Sequence, residues 1–170
     1  ETNSIKYEPT DVLRIWTEEN RQWLSLSAVY RKTTDNIRVT VIPFYMGQSQ
    51  DHAHSFYWWR YCTRLENLSK EISCVLRERE WKIMTCTGKM DVIRGKGILS
   101  MEPVLSRLAR AFQYSSRISL TTPSGQMWGS FKMERESGRI FEVKVPPFVL
   151  LSDQPPVNSS NIDDLPPTFT

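Results

Sequence analysis

Between His54 and Leu68 the chain places large apolar or aromatic residues at every second position. Tyr57, Trp59, Tyr61 and Leu65 fall on one side, with Thr63 among them; Trp58, Arg60, Cys62, Arg64 and Glu66 fall on the other. Side chains alternate across a strand, so the pattern predicts a long β-strand with one face in a core and the other largely wet. The same period recurs upstream, where Ile37, Val39, Val41 and Pro43 oppose Arg38, Thr40 and Ile42 after an Asp35-Asn36 turn. Downstream it predicts strands over 72–77, 81–86, 89–93, 112–121, 126–134 and 139–145. Thr87-Gly88, Pro123-Ser124-Gly125 and Glu136-Ser137-Gly138 supply turns between them. Pro146-Pro147 is expected to close the last ladder, because proline has no N–H to donate. Seven or eight strands with regular turns predict an all-β fold, an antiparallel β-sandwich or barrel. Tyr57, Trp59, Tyr61, Trp81 and Phe131 are its expected core.

Residues 9–22 carry the one helical pattern. Pro9 suits a first helical position, and Val12, Leu13, Ile15 and Trp16 make an apolar stripe. Trp23, Leu24 and Leu26 are expected to pack this helix against a neighbour. The chain thus divides into a linker with one short helix (1–27), a sandwich (28–151) and a proline-rich tail (152–170). The tail has Pro155, Pro156, Pro166, Pro167, the acidic pair Asp163-Asp164 and little apolar content, so it is expected to be disordered. The start at Glu1, without Met or a signal pattern, is expected of a piece of a longer chain.

Composition narrows the class. With 170 residues, 39% of them hydrophobic, the chain can bury one core. A net charge of +3 is too small to point to nucleic acid. Cys62, Cys74 and Cys86 are odd in number and lack metal-ligand spacing, which predicts free thiols in a reducing, intracellular setting. No apolar run is long enough to span a bilayer.

Candidate chemistry is sparse. Arg94-Gly95-Lys96-Gly97-Ile98-Leu99-Ser100 has two glycines that let backbone approach a ligand, beside two cations that could meet a phosphate. It is the candidate phosphate- or nucleotide-binding loop, although no helical stripe follows it and Ser100 stands where a third glycine would complete the dinucleotide pattern. His52 and His54 lack a third metal ligand, and Ser115-Ser116 lacks an assignable base. Glu78 and Glu80 lie between Arg77, Arg79 and Lys82 and read as solvated charge pairs. No catalytic constellation emerges, so neither enzyme activity nor a cofactor is expected. A protein-binding surface is expected instead. Its candidates are Trp58, Arg60 and Arg64 on the wet face, the long polar loop 46–55, and Leu99, Met101, Leu105 and Leu108. Those four make the 98–111 connection more apolar than a solvent loop requires. Trp58 among Arg60, Arg64, Arg77, Arg79, Lys82, Arg94 and Lys96 could stack a nucleic-acid base, but Glu66, Glu71, Glu78 and Glu80 interleave them. Direct nucleic-acid binding is therefore not expected.

Several segments together resemble the ApaG domain family. They are Thr33-Thr34-Asp35-Asn36-Ile37-Arg38-Val39, Leu65-Glu66-Asn67, Trp81-Lys82-Ile83, Arg94-Gly95-Lys96-Gly97, Glu102-Pro103-Val104-Leu105, Phe112-Gln113-Tyr114-Ser115-Ser116, Ser124-Gly125-Gln126-Met127-Trp128-Gly129 and Val145-Pro146-Pro147-Phe148. They run in family order over about residues 28–151. The resemblance implies a fibronectin III-like or immunoglobulin-like sandwich without established enzyme activity, used as a protein-interaction adaptor. In one branch it implies a mitochondrial and nuclear protein linked to DNA replication, damage tolerance and mitochondrial protein homeostasis. Its partners there would be a DNA polymerase delta subunit, the sliding clamp or proteolysis machinery. A second branch uses the domain for substrate binding in F-box ubiquitin ligases. Bacterial members are suspected of nucleotide or pyrophosphate binding through their glycine motif, and small-molecule partners stay open here. Arg79-Glu80-Trp81 stands where the family has Arg-His-Trp, which removes a histidine.

Overall fold

The computed structural model describes residues 10–19, 28–51 and 54–152. The period-two runs become nine strands in two antiparallel sheets. In the first sheet β1 (Tyr30–Thr34), β2 (Ile37–Asp51), β3 (His54–Asn67) and β7 (Ala111–Leu120) lie in the order β1-β2-β3-β7. The second contains β4 (Cys74–Thr85), β5 (Met90–Lys96), β8 (Ser124–Arg135) and β9 (Ile140–Leu151) in the order β5-β4-β8-β9. The short β6 (Val104–Leu105) pairs with the start of β4, through Cys74 opposite Leu105 and Val75 opposite Val104. The fold is an antiparallel sandwich, one of the two architectures the alternation predicts and the one the resemblance implies, with β1 and β7 at the edges of the first sheet and β5 and β9 at those of the second.

The two inner faces share one core. Ile37, Val39, Val41, Trp59, Tyr61 and Leu65 come from the first sheet, and Leu76, Trp81, Phe131, Val143 and Phe148 from the second. Trp81 stands at its centre. Its ring meets Tyr61 at 5.4 Å, Phe131 at 5.9 Å and Phe148 at 6.1 Å, each edge-on. Such contacts add about 0.5–1.5 kcal/mol apiece to the burial of the rings themselves. Tyr57, expected in the core, is half-buried and packs against its margin beside Trp59.

Three local readings are corrected. The strands predicted over 72–77 and 81–86 are one strand, β4, whose pairing with β8 slips by one residue between Leu76 and Glu78. The extra residue is Arg77, and a bulge of this kind breaks the alternation that a sequence reading follows. Pro146-Pro147 does not end the last ladder, because β9 runs on to Leu151. Pairing passes from Gly129–Val145 to Met127–Phe148, so the two prolines lie opposite Trp128 alone. A bulge on an edge strand is where proline costs no ladder hydrogen bond. The long loop expected over 46–55 is mostly hairpin, since β2 and β3 pair as far as Asp51 and His54.

Helix α1 (Asp11–Glu19) starts at Thr10, whose Oγ1 accepts from the Leu13 N–H at 3.3 Å. Asp11 in its first turn complements the helix dipole. Val12, Leu13 and Ile15 are exposed. The predicted packing of Trp23, Leu24 and Leu26, the ends of the predicted helix, His52 and the tail beyond Ser152 lie outside the described residues. Cys62, Cys74 and Cys86 are all unpaired. Burial raises the thiol pKa of Cys62 and Cys74, which suppresses the reactive thiolate.

Candidate functional site

The outer face of the first sheet carries Trp58, Arg60 and Arg64, and the structure ties each to a neighbour. Trp58 is 39% exposed and donates its indole N–H to Ser49 Oγ at 2.8 Å. Arg60 is half-buried and donates through Nε and Nη2 to Ser115 Oγ at 3.3 and 3.0 Å. Arg64 Nε lies 3.4 Å from Glu66, which also accepts from Arg38 Nε at 2.9 Å. The Arg38 hydrogen bond, reinforced by Arg64, holds the Glu66 carboxyl below its ordinary value. Arg60 and Arg64 are thus engaged within the sheet rather than presented freely.

The outer face of the second sheet is a charged groove of about 730 Å³. Most of its charges satisfy one another. Lys132 reaches Glu78 at 2.8 Å, Lys144 reaches Glu142 at 2.6 Å, and Glu80 takes Arg94 at 2.6 Å and Lys82 at 3.2 Å. Arg77 bridges Glu102 and Glu134. Arg94, Gly95 and Lys96 belong to β5 rather than to a loop, and Gly97 follows directly. The Gly97 N–H donates to Arg77 O at 2.7 Å, and the Ile98 and Met101 backbones bond each other. Those amides, which a phosphate would use, are occupied within the chain. Arg94 is engaged by Glu80, whereas Lys96 has no carboxylate partner among the described residues.

Arg79 explains Gly95. It is paired with Phe131 on one side and Gly95 on the other, so it starts from the inner face of the sheet. A guanidinium cannot stay in the core without partners. It escapes across Gly95, where an added Cβ would stand 2.9 Å from the Arg79 guanidinium carbon. Its Nη1 then donates to the carbonyls of Lys96 at 3.0 Å and Gly97 at 2.6 Å. Beyond Gly97 the chain reverses through Leu99 and Ser100, at φ 50° and 64°. Left-handed backbone is unusual for leucine and costs roughly 1–2 kcal/mol. This leucine is nevertheless 62% exposed.

The hairpin borders a cleft of about 600 Å³ between the edge strands β5 and β7. Ile93, Ile98 and Leu99 line it from one sheet, and Tyr114, Arg117 and Ile118 from the other. Trp58 lines it too, so two candidates far apart in sequence, Trp58 and Leu99, meet at one opening. Met101 is exposed beside the hairpin and Leu108 is 97% exposed. Leu105 is a correction. It is 1% exposed, pinned in the core by the pairing of β6 with β4, and cannot contact a partner. Sequence reasoning missed Arg79, Tyr114 and Arg117 as cleft residues; the glycine opposite Arg79 is a register signal that no local pattern reveals.

Residues 47–135 match the ApaG domain family, and the chain is 40% identical over 122 residues to Protein ApaG of Rhodospirillum centenum, covering 72% of this chain and 92% of that protein. This chain belongs to the ApaG domain family. Two solved structures resemble it in fold. An X-ray structure of a Northeast Structural Genomics Consortium target has a TM-score of 0.66 at 31% identity, covering 71% of this chain and 89% of that one. The putative ApaA protein from Bordetella pertussis has a TM-score of 0.63 at 28% identity, covering 70% and 95%. Polymerase delta-interacting protein 2 from Homo sapiens and Mus musculus is 49% identical over 154 residues, 91% of this chain. The chain spans 42% of the length of those two relatives. Among the described residues no helix is long and apolar enough to cross a membrane, and no group of three or more His, Cys, Asp or Glu could hold a metal.

Proposed function

We propose that this ApaG domain is a non-catalytic adaptor that captures protein partners along the β5 edge and the hairpin that follows it. The observation that carries this reading is Leu99. A large apolar side chain held exposed at left-handed φ is a cost that folding does not repay, and such costs concentrate at functional positions. It has company, because Met90, Val92, Ile93, Met101 and Val104 are also exposed along that edge of the second sheet. An open strand edge with apolar side chains is what an added partner strand recognises. The outer face of the second sheet offers less, since most of its charges already pair within the sheet.

The relatives called polymerase delta-interacting protein 2 name a partner class. By that name the partner is DNA polymerase delta, while other replication, damage-tolerance or proteolysis machinery and a nuclear or mitochondrial site of action rest on the family resemblance alone. Leu99→Gly is expected to weaken capture of purified DNA polymerase delta at least fivefold while leaving the melting temperature unchanged or higher, because glycine relieves the left-handed strain. Surface-immobilised binding and thermal melts read the two effects separately. Undiminished capture by Leu99→Gly and by Met101→Ser, with loss in Arg94→Ala/Lys96→Ala, would move the site to the glycine segment and favour anion binding.

A further inference from the structure

On one side of the sandwich the sheet edges cover each other. β1 packs against β9, and Thr34 Oγ1 accepts from the Lys144 N–H at 3.3 Å. The β5 edge is different, and its pairing with β4 fixes which of its backbone groups are free. At the two ends of that pairing Thr85 N donates to Lys89 O and Gly97 N donates to Arg77 O, and the register between them is unbroken. In an antiparallel ladder hydrogen-bonded pairs alternate with unbonded ones. Lys89, Asp91, Ile93, Gly95 and Gly97 therefore turn their N–H and C=O groups toward β4, and Met90, Val92, Arg94 and Lys96 turn theirs outward. Among the described residues, the Lys96 carbonyl is the only one of these outward groups with a partner, accepting from Arg79 Nη1 at 3.0 Å.

The side chains alternate in the same way. Met90, Val92, Arg94 and Lys96 lie on the outer face with Glu78, Glu80 and Lys82, whereas Ile93, opposite Trp81, and Gly95, opposite Arg79, lie on the inner one. A strand added here would meet cations at Arg94 and Lys96, apolar side chains at Val92 and Ile93, and the Arg79 guanidinium over Gly95. Lys96 has no carboxylate partner among the described residues. Arg94 can be spared, because Glu80, which holds it at 2.6 Å, also has Lys82 at 3.2 Å. A second copy of this strand is a poor occupant. Antiparallel self-pairing about Ile93 sets Arg94 opposite Val92 and Lys96 opposite Met90, which gives neither cation an anion. A shift of register sets Arg94 opposite Met90 or opposite a second Arg94, and like charges directly opposite are destabilising. We propose, resting on the reading of this edge as a protein-binding site, that β5 takes up an acidic extended peptide as an antiparallel strand. The peptide carries Asp or Glu opposite Arg94 and Lys96, a small polar residue opposite Gly95, and apolar residues opposite Val92 and Ile93. Its backbone bonds supply the attachment and its alternating side chains the specificity.

The test is titration of the whole chain with the peptide Glu-Ser-Glu-Val-Val-Thr-Val, read by calorimetry and by amide hydrogen exchange. At saturation the peptide is expected to slow exchange at Val92 and Arg94 at least tenfold and to leave Asp91 and Ile93, already bonded to β4, unchanged. Lys-Ser-Lys-Val-Val-Thr-Val is expected to bind at least tenfold more weakly. N-methylation of the third and fifth peptide residues, whose amides face β5, is expected to abolish binding, and N-methylation of the fourth, whose amide faces away, to leave it within about threefold. Arg94→Ala/Lys96→Ala is expected to weaken the acidic peptide about tenfold without a change in melting, the scale of two exposed ion pairs. Equal affinity for the acidic and basic peptides would overturn the proposal. So would protection confined to residues outside β5, or binding of the doubly methylated peptide, which would reduce the site to an anion patch. Leu99-dependent capture of DNA polymerase delta by a chain that does not bind the acidic peptide would overturn this inference and leave edge capture standing. Peptide binding in the expected pattern without capture of polymerase delta would support it and remove only that partner.

Discussion

Trp59→Ala is expected to destabilise the sandwich by about 3–5 kcal/mol, the range for deleting a large buried ring. Trp59 is 1% exposed, with Tyr45 at 5.5 Å and Tyr57 at 6.4 Å from its ring. It also joins the layers, because its indole N–H donates to Leu151 O at 3.1 Å, from β3 to the end of β9. Removing it opens a cavity and leaves that carbonyl without its donor. Trp59→Phe separates the two losses, keeping most of the packing and giving up the hydrogen bond, at about 1 kcal/mol for the bond. Urea denaturation measures both. A midpoint for Trp59→Ala within error of the parent chain would mean that the inner face of β3 is misassigned.

The inner face was readable from sequence because it depends on a local rule. Tyr57, Trp59, Tyr61 and Leu65 share a side in any extended chain, and only the depth of Tyr57 depends on how far the second sheet reaches. Where the rule failed, backbone irregularity was responsible. Arg77 adds one residue to β4, and the run Arg77-Glu78-Arg79-Glu80 looks like a solvated break between two strands. Its residues in fact divide. Glu78 and Glu80 face outward to Lys132 and Arg94, while Arg79 faces inward and leaves over Gly95. That division depends on register between strands distant in sequence, which composition does not encode.

The candidate site was legible in its residues and illegible in its assembly. Trp58 and Leu99 stood out as large apolar side chains in polar or loop contexts. Their convergence on one cleft requires β7 to pair beside β3, where Trp58 lies opposite Ser119, and the 98–101 hairpin to cap β5, a pairing between segments distant in sequence. Leu99, Met101, Leu105 and Leu108 look alike in sequence. The two-residue pairing of β6 with β4 buries Leu105 and leaves the others outside. Tyr114 fits the alternation as core, and the structure buries it there.

Gly129→Ala is expected to cost at least about 3 kcal/mol, more than most single substitutions on a strand. Gly129 lies in β8 between two partners, opposite Trp81 of β4 and Val145 of β9. A Cβ there would stand 2.0 Å from the Glu80 carbonyl oxygen and 3.2 Å from the Trp81 Cα. Both are backbone atoms, so no side chain can turn away to make room. The strands must part at the centre of the second sheet, next to the ring that touches Tyr61, Phe131 and Phe148. Relief by backbone shift is limited because the neighbouring bulge at Trp128 already fixes the register with β9. Gly95→Ala is the informative contrast: its clash is with the mobile end of Arg79, so the guanidinium can swing out and the cost should stay near 1 kcal/mol. Chemical denaturation of the two variants side by side reads the difference. Equal midpoints would show that β4 and β8 do not approach as closely as Gly129 requires.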